Sequence, residues 1–183
     1  MKIFLVLFVS LAATALFFVA VQGLRRRAST IDRRTVARFD VPRYMGRWYE
    51  IARIENRFER GMTDVTADYR LLDDGTVEVV NGGRDPCTGQ RREAVGRARL
   101  RSGAPGRLRV RFFGPFGADY CVLELDDDYR WALVGSRSEA YLWILSRTPT
   151  LDAPTCERLE AQARERGYDV GRLMWAGREA PRP

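Results

Sequence analysis

Between Trp48 and Ser146 apolar and polar residues alternate with a period of two, the signature of strands with one covered face. From Trp48 the alternation sends Trp48, Glu50, Ala52 and Ile54 to one face and Tyr49, Ile51 and Arg53 to the other. Residues 65–71 alternate cleanly, Asp73, Asp74 and Gly75 make a tight hairpin turn, and residues 77–81 return. The period continues through residues 90–100, 107–112, 120–126, 131–136 and 141–146, each segment joined to the next by a short link. About eight strands in this order predict an all-β fold, an up-and-down antiparallel barrel. Helical spacing follows only at the end: Asp152 is placed to cap, Pro154 to open the first turn and Gly167 to stop a helix carrying Cys156, Leu159 and Ala163 on one side. That side needs cover, and the outward residues Cys121, Leu123 and Leu125 predict that the helix packs outside the barrel.

In a meander the turns alternate between the two barrel ends, so every loop can be placed from Trp48. The tight turns at 73–75, 103–106 and 126–129 fall at the Trp48 end, together with Arg147. The longer loops, 56–64, 82–89, 113–119 and 136–140, fall at the other end and form a mouth. Arg147 is therefore expected beside Trp48, where a guanidinium over an indole contributes about 1–2 kcal/mol. Alternation turns Tyr69, Val79, Ala98, Val110 and Phe112 inward, and likewise Tyr120, Val122, Glu124, Leu133 and Trp143, the expected ligand-binding residues. This lining suits an acyl chain, and the small residues Ala94, Gly96, Ala98 and Gly135 predict room for one. Phe58, Met62, Phe113 and Phe116 lie in the mouth loops, as candidates for headgroup contact, membrane docking or a dimer seam.

Ahead of the barrel, residues 3–21 form an unbroken uncharged run behind Lys2 and before Arg25, Arg26 and Arg27. Residues 1–23 read as a retained signal anchor or a cleaved signal peptide, an N-terminal hydrophobic helix outside the fold, and the length favours the anchor. Residues 24–38 read as a basic flexible tether, residues 39–177 as the barrel domain and 178–183 as a disordered tail. The formal charge of +7 is concentrated at the front, where residues 1–38 hold seven of the 31 cations and one of the 24 anions. The remainder is nearly balanced, which argues against nucleic acid as a partner.

With no histidine, three cysteines at positions without metal spacing, and neither a phosphate loop nor a nucleophile elbow, no metal, cofactor or catalytic residue is predicted. The best enzyme case pairs Glu50 with Glu124, both read as inward, on a barrel doing lipid or isoprenoid chemistry. A structural protein with a filled barrel is a further alternative. Cys121 and Cys156 could meet in a disulfide or remain thiols at the interface between helix and barrel.

Three stretches carry a family resemblance: Gly46-Arg47-Trp48, the turn Leu125-Asp126-Asp127-Asp128-Tyr129, and Leu142 to Pro149 with Arg147 inside it. In order and spacing they resemble the three signature regions of the lipocalins, which makes Gly46, Trp48, Asp126, Tyr129 and Arg147 the signature positions here. Trp48-Tyr-Glu-Ile-Ala-Arg53, Phe112-Phe-Gly-Pro-Phe116 and Gly167-Tyr-Asp-Val170 look like the bacterial (Blc) branch, which is similar to apolipoprotein D. The resemblance implies an eight-stranded calyx for a small amphiphilic lipid, a fatty acid or lysophospholipid, often as a homodimer. It also implies attachment to the outer membrane through an acylated cysteine. No cysteine follows the apolar run, so the expected address is the cell envelope, anchored through the N-terminal segment and facing the periplasm, with outer-membrane association or a soluble periplasmic form as alternatives.

Overall fold

The computed structural model describes residues 31–56, 59–112 and 117–177. Nine strands form one antiparallel sheet. The first four are β1 (Gly46–Ile54), β2 (Thr63–Leu71), β3 (Val77–Arg84) and β4 (Arg91–Leu100). Next come β5 (Arg107–Arg111), β6 (Ala118–Leu125), β7 (Trp131–Gly135) and β8 (Leu142–Ser146), with the short β9 (Leu173–Trp175) near the end. Each of the first seven pairs with its successor, and β1 pairs with both β8 and β2, which closes the barrel. Past Tyr49 the β2 register ends, and β9 takes over the freed edge of β1 at Ala52 to Ile54.

The chain enters the barrel through a short helix, α1 (Val41–Tyr44), capped by the Asp40 carboxylate accepting from Arg43 N. The turn after β6 is held by Asp126, whose carboxylate accepts from the backbone N–H groups of Asp128 and Arg130 and from the Arg130 guanidinium. This permits Tyr129 a left-handed φ of 61° that a bulky residue rarely adopts. The strain is secured by burial and by the Tyr129 hydroxyl accepting from Asp40 N at 2.8 Å. Asp126 and Tyr129 thus tie the turn to the segment that enters β1. The long helix α2 (Ala153–Glu165) starts as its sequence predicts, with the Asp152 carboxylate accepting from Thr155 N and proline in the first turn.

Two apolar clusters lie on either side of the barrel wall. The inner one is built on Tyr44, Trp48, Tyr69, Val79, Val110, Val122 and Leu145, the outer one on Ile51, Leu123, Leu133, Ile144, Leu159 and Tyr168. Leu159 and Ala163 of α2 are completely buried in the outer cluster, so the helix covers the outside of the barrel as expected. Cys121 and Cys156 meet this same cluster as thiols, with Cys156 Sγ donating to Leu151 O at 3.8 Å, and the disulfide is not formed.

Several facing assignments are overturned, and two bulges explain most of them. In β1 the pairing with β8 slips between Glu50 and Ala52. Glu50 lies opposite Leu145 and Arg53 opposite Trp143, both partners belonging to the inner cluster, while Ala52 lies opposite Ile144 of the outer cluster. Ala52 and Ile54 therefore face the helix side and Arg53 faces inward. In β6 a slip between Val122 and Glu124 puts Glu124 opposite the outer residue Leu133 and turns Leu125 to the inside. The extra residue at a bulge shifts the parity of everything after it. Leu133 itself, expected to line the interior, is outside under α2, and Ala132 and Val134 take the interior positions. Gly135 is also outward: a Cβ there would fall 2.2 Å from the Tyr168 hydroxyl, so its missing side chain makes room for Tyr168.

Part of the stretch expected to be a tether, residues 24–38, falls among the described residues. Residues 24–30 lie outside the described residues, but residues 31–38 are docked on the barrel. Ile31 is buried in the outer cluster, Asp32 N donates to Arg166 O at 2.9 Å, and Val36 N donates to Val122 O at 3.1 Å. The two apolar anchors Ile31 and Val36 are spaced too widely to register as a period among the arginines.

A candidate ligand site inside the barrel

The floor of the barrel is aromatic and closed. Trp48 is fully buried, with its indole N–H donating to Tyr44 O at 2.9 Å and the Arg147 guanidinium carbon 3.9 Å from its ring centre. Arg147 also donates to the carbonyls of Arg47 and Arg43, each at 2.8 Å, and to that of Tyr129 at 3.3 Å. Gly46 sits directly beneath it with φ of 90°, a conformation that favours glycine, and a Cβ there would lie 3.4 Å from Arg147 Nη1. The five signature positions thus form one closure, and the placement of Arg147 beside Trp48 agrees with the alternation of turns.

Above the floor a ladder of rings rises through the interior. Tyr44 packs 4.8 Å from Trp48 and 5.6 Å from Tyr69, and Tyr69 meets Tyr120 edge-on at 6.1 Å. Their hydroxyls join, Tyr44 to Tyr120 at 2.6 Å and Tyr69 to Tyr120 at 2.9 Å. Burial pushes all three phenols above their ordinary range, so they stay protonated. Three hydroxyls sharing two hydrogen bonds leave one O–H to donate elsewhere.

Val79, Ala98, Val110 and Val122 are buried in the inner cluster, whereas Phe112, Tyr120 and Trp143 pack against it and keep part of their surface accessible. These three inward rings are the partly accessible part of a wall that is otherwise packed. The small residues contribute less space than expected. Gly96 is occupied by a neighbour, since a Cβ there would meet Phe112 Cδ1 and Arg111 O at 2.8 Å. Ala98, opposite Val77 and Val110, is tightly packed, and only Ala94, opposite Asn81, is half-buried on the inward face.

Toward the mouth the lining becomes polar. Arg53 donates to the Glu50 carboxylate and to the carbonyls of Glu59 at 2.9 Å and Met62 at 3.1 Å. The Glu59 carboxylate accepts from Trp143 Nε1 at 3.0 Å and from Asn56 Nδ2. Burial, with the Glu59 charge adding to it and Arg53 opposing, holds Glu50 up to about 7. Arg53 Nε and Asn81 Oδ1 are buried without a hydrogen-bond partner among the described residues. Met62 covers Gly83, whose Cβ would meet its methyl at 2.7 Å, while Phe58, Phe113 and Phe116 lie outside the described residues.

Glu124 is not part of this site. Its carboxylate binds Arg166 at 2.6 Å on the outer side, at the end of α2, so the Glu50 and Glu124 pair on which an enzyme would be built does not exist. The carboxylate that does approach Glu50 is Glu59. Alternation could not find Glu59 or Asn56, which sit in a loop, or Arg53, which lies past the bulge. Tyr44 was detectable in principle as the aromatic residue four positions before Trp48 in the segment leading to β1.

The comparisons agree with this architecture. A family model described as a lipocalin-like domain matches residues 39–178. The Escherichia coli K12 outer membrane lipoprotein Blc is 48% identical over 142 residues, covering 76% of this chain and 80% of that protein. Its Vibrio cholerae namesake is 42% identical over 142 residues, covering 76% and 83%. Mouse apolipoprotein D is 33% identical over 144 residues, covering 74% and 75%. Among solved structures, insecticyanin from Manduca sexta superposes with a TM-score of 0.65 at 21% identity, covering 81% of this chain and 85% of that one. Signature closure, barrel order, outer helix and sequence identity lead to one conclusion: this chain belongs to the lipocalins.

Proposed function

We propose that the protein binds and carries amphiphilic lipids, fatty acids or lysophospholipids, in the bacterial cell envelope without transforming them. The observation that carries this reading is the division of the interior. Packed apolar and aromatic walls stop at partly accessible Phe112, Tyr120 and Trp143, and the polar group of Arg53, Glu50, Glu59 and Asn81 begins beyond them. An acyl chain against the rings gains about 0.8 kcal/mol per methylene buried. The unpartnered Arg53 Nε and Asn81 Oδ1 offer a donor and an acceptor to a headgroup. The similarity to outer membrane lipoproteins supports an envelope address. Residues 1–23 would then serve as the anchor, with the barrel facing the periplasm.

The test is titration of a fluorescent fatty acid. Because Ala98 is packed, the blocking substitution belongs at the half-buried Ala94. Ala94→Trp should fill the lumen, displace about three or four methylenes and weaken binding about a hundredfold. Asp68→Asn, which removes only an outward ion pair with Arg47, should bind as the parent does. Equal affinities for the two variants would overturn an interior site.

A further inference from the structure

The outer face of β4 and β5 carries a concentration of positive charge that the lumen does not use. Arg97 and Arg99 project from β4, Arg101 from just after it, and Arg109 and Arg111 from β5, into one open groove of about 520 Å³. Asp74 and Thr76, from the turn before β3, complete its lining. The register makes the crowding direct, since Arg97 lies opposite Arg111 and Arg99 opposite Arg109. Like charges placed directly across a strand pair destabilise it.

The nearby acids do not balance the five arginines. Asp119 serves two of them, Arg109 at 3.2 Å and Arg101 at 3.6 Å. Glu78, opposite Arg97 in the register, is taken by Arg70 at 2.7 Å. Asp74 accepts from Thr76 N at 2.9 Å and from the Thr76 hydroxyl in its own turn, and it attracts Arg97 and Arg99 through space without pairing with either. Among the described residues Arg99 and Arg111 have no carboxylate partner, and Arg97 reaches only Thr76 Oγ1 at 3.4 Å. Two opposed guanidinium pairs over a groove are suited to anions that accept on several oxygens, as a phosphate does.

What surrounds the groove decides the kind of anion. Among the described residues the exposed large apolar side chains are Val95 at 56%, Leu71 at 43% and Leu100 at 37%. Val95 shares the outward face of β4 with Arg97, while Leu71 and Leu100, opposite the inner residues Val77 and Leu108, have the other parity and are exposed where their strands end at the closed-end rim. Arginines bordered by aliphatic side chains match a surface of phosphate headgroups over acyl chains. A long polyanion would find little beyond the groove, because the chain after residue 38 holds 24 cations against 23 anions.

We propose that this flank is a docking surface for the anionic phosphate headgroups of a membrane, lying against the bilayer through the β4 and β5 arginines. It is independent of the lumen, and a chain carrying Ala94→Trp should dock as the parent does.

The full chain, placed in nanodiscs of phosphatidylcholine alone or with one-third phosphatidylglycerol, would be labelled with phenylglyoxal and its arginines quantified by mass spectrometry. Labelling of Arg97, Arg99, Arg109 and Arg111 should fall about threefold or more in anionic discs. The exposed Arg130 and Arg164 should change little and serve as references. In Arg99→Gln/Arg111→Gln the protection of Arg97 and Arg109 should be lost. Equal labelling in the two kinds of disc would overturn the proposal. So would protection in neutral discs by soluble glycerophosphate, which would identify a small-anion site, or by an oligonucleotide, which would identify a polyanion site.

Discussion

Replacing Arg147 with alanine tests the closed end of the barrel separately from its contents. The guanidinium lies 3.9 Å from the Trp48 ring centre and donates to three carbonyls, those of Arg43, Arg47 and Tyr129. It is half-buried, and burial lowers its pKa from the usual arginine value while leaving it charged. A partly desolvated stack on an indole contributes about 1 kcal/mol. Each carbonyl loses a charge-assisted hydrogen bond but gains access to water, a net loss of roughly 0.5–1 kcal/mol apiece. The sum is about 2.5–4 kcal/mol, which lowers the midpoint of thermal unfolding by roughly 7–15 °C for a domain of this size.

Urea or thermal unfolding of parent, Arg147→Ala and Arg147→Lys provides the comparison. Lysine keeps a charge over the indole but cannot span three carbonyls in different directions with one ammonium, so it should recover less than half of the loss. Fatty acid affinity should be unchanged in both variants when measured well below their midpoints, because Arg147 lies beneath the floor. An unchanged midpoint combined with collapsed binding would show that Arg147 reaches ligand and that the assignment of closed end and mouth is reversed.

Glu50, held up to about 7 by burial and Glu59, binds a proton in the folded chain that the unfolded chain releases near its ordinary value of 4.5. Stability should therefore fall as pH rises between these two values, by up to about 3 kcal/mol, and Glu50→Gln should flatten that slope in unfolding curves taken from pH 4 to 8. The N-terminal segment is tested by fractionation: a retained anchor leaves the full chain in membranes, whereas a soluble form beginning at Leu24 establishes cleavage.

The strands, turns and outer helix were legible because their signals are local. Asp73 to Gly75 marks a hairpin, Asp152 and Pro154 mark a helix start, and the alternation of turns alone places Arg147 with Trp48. Facing was legible only while the period ran unbroken. At Glu50/Ala52 and Val122/Glu124 a bulge changes parity, and no residue type at either place announces it. The error at Leu133 has a different origin. Residues Trp131 to Val134 are apolar on both faces because one face meets the interior and the other meets α2, so alternation is absent and size is a poor guide to direction. Small residues misled for a related reason: Gly135 and Gly96 make room for Tyr168 and Phe112, and a sequence cannot tell space for a ligand from space for a neighbour.

The corrected interior makes a sharper distinction between residues that fold the barrel and residues that equip it. At the floor the indole is matched to a carbonyl and the guanidinium to three, and the three hydroxyls above them are joined by two hydrogen bonds that leave one O–H over. Near the mouth Arg53 Nε and Asn81 Oδ1 go unmatched among the described residues, and Glu50 is kept ionisable near neutrality beside a second carboxylate. Burying such groups costs free energy that apolar replacements would avoid. Within one small barrel the floor shows that this chain can match interior polar groups. The unmet donor and acceptor of the interior lie at the mouth end, where the proposed headgroup would sit, and other unmatched buried atoms, Arg107 Nε and Gln162 Oε1 among them, lie away from the interior.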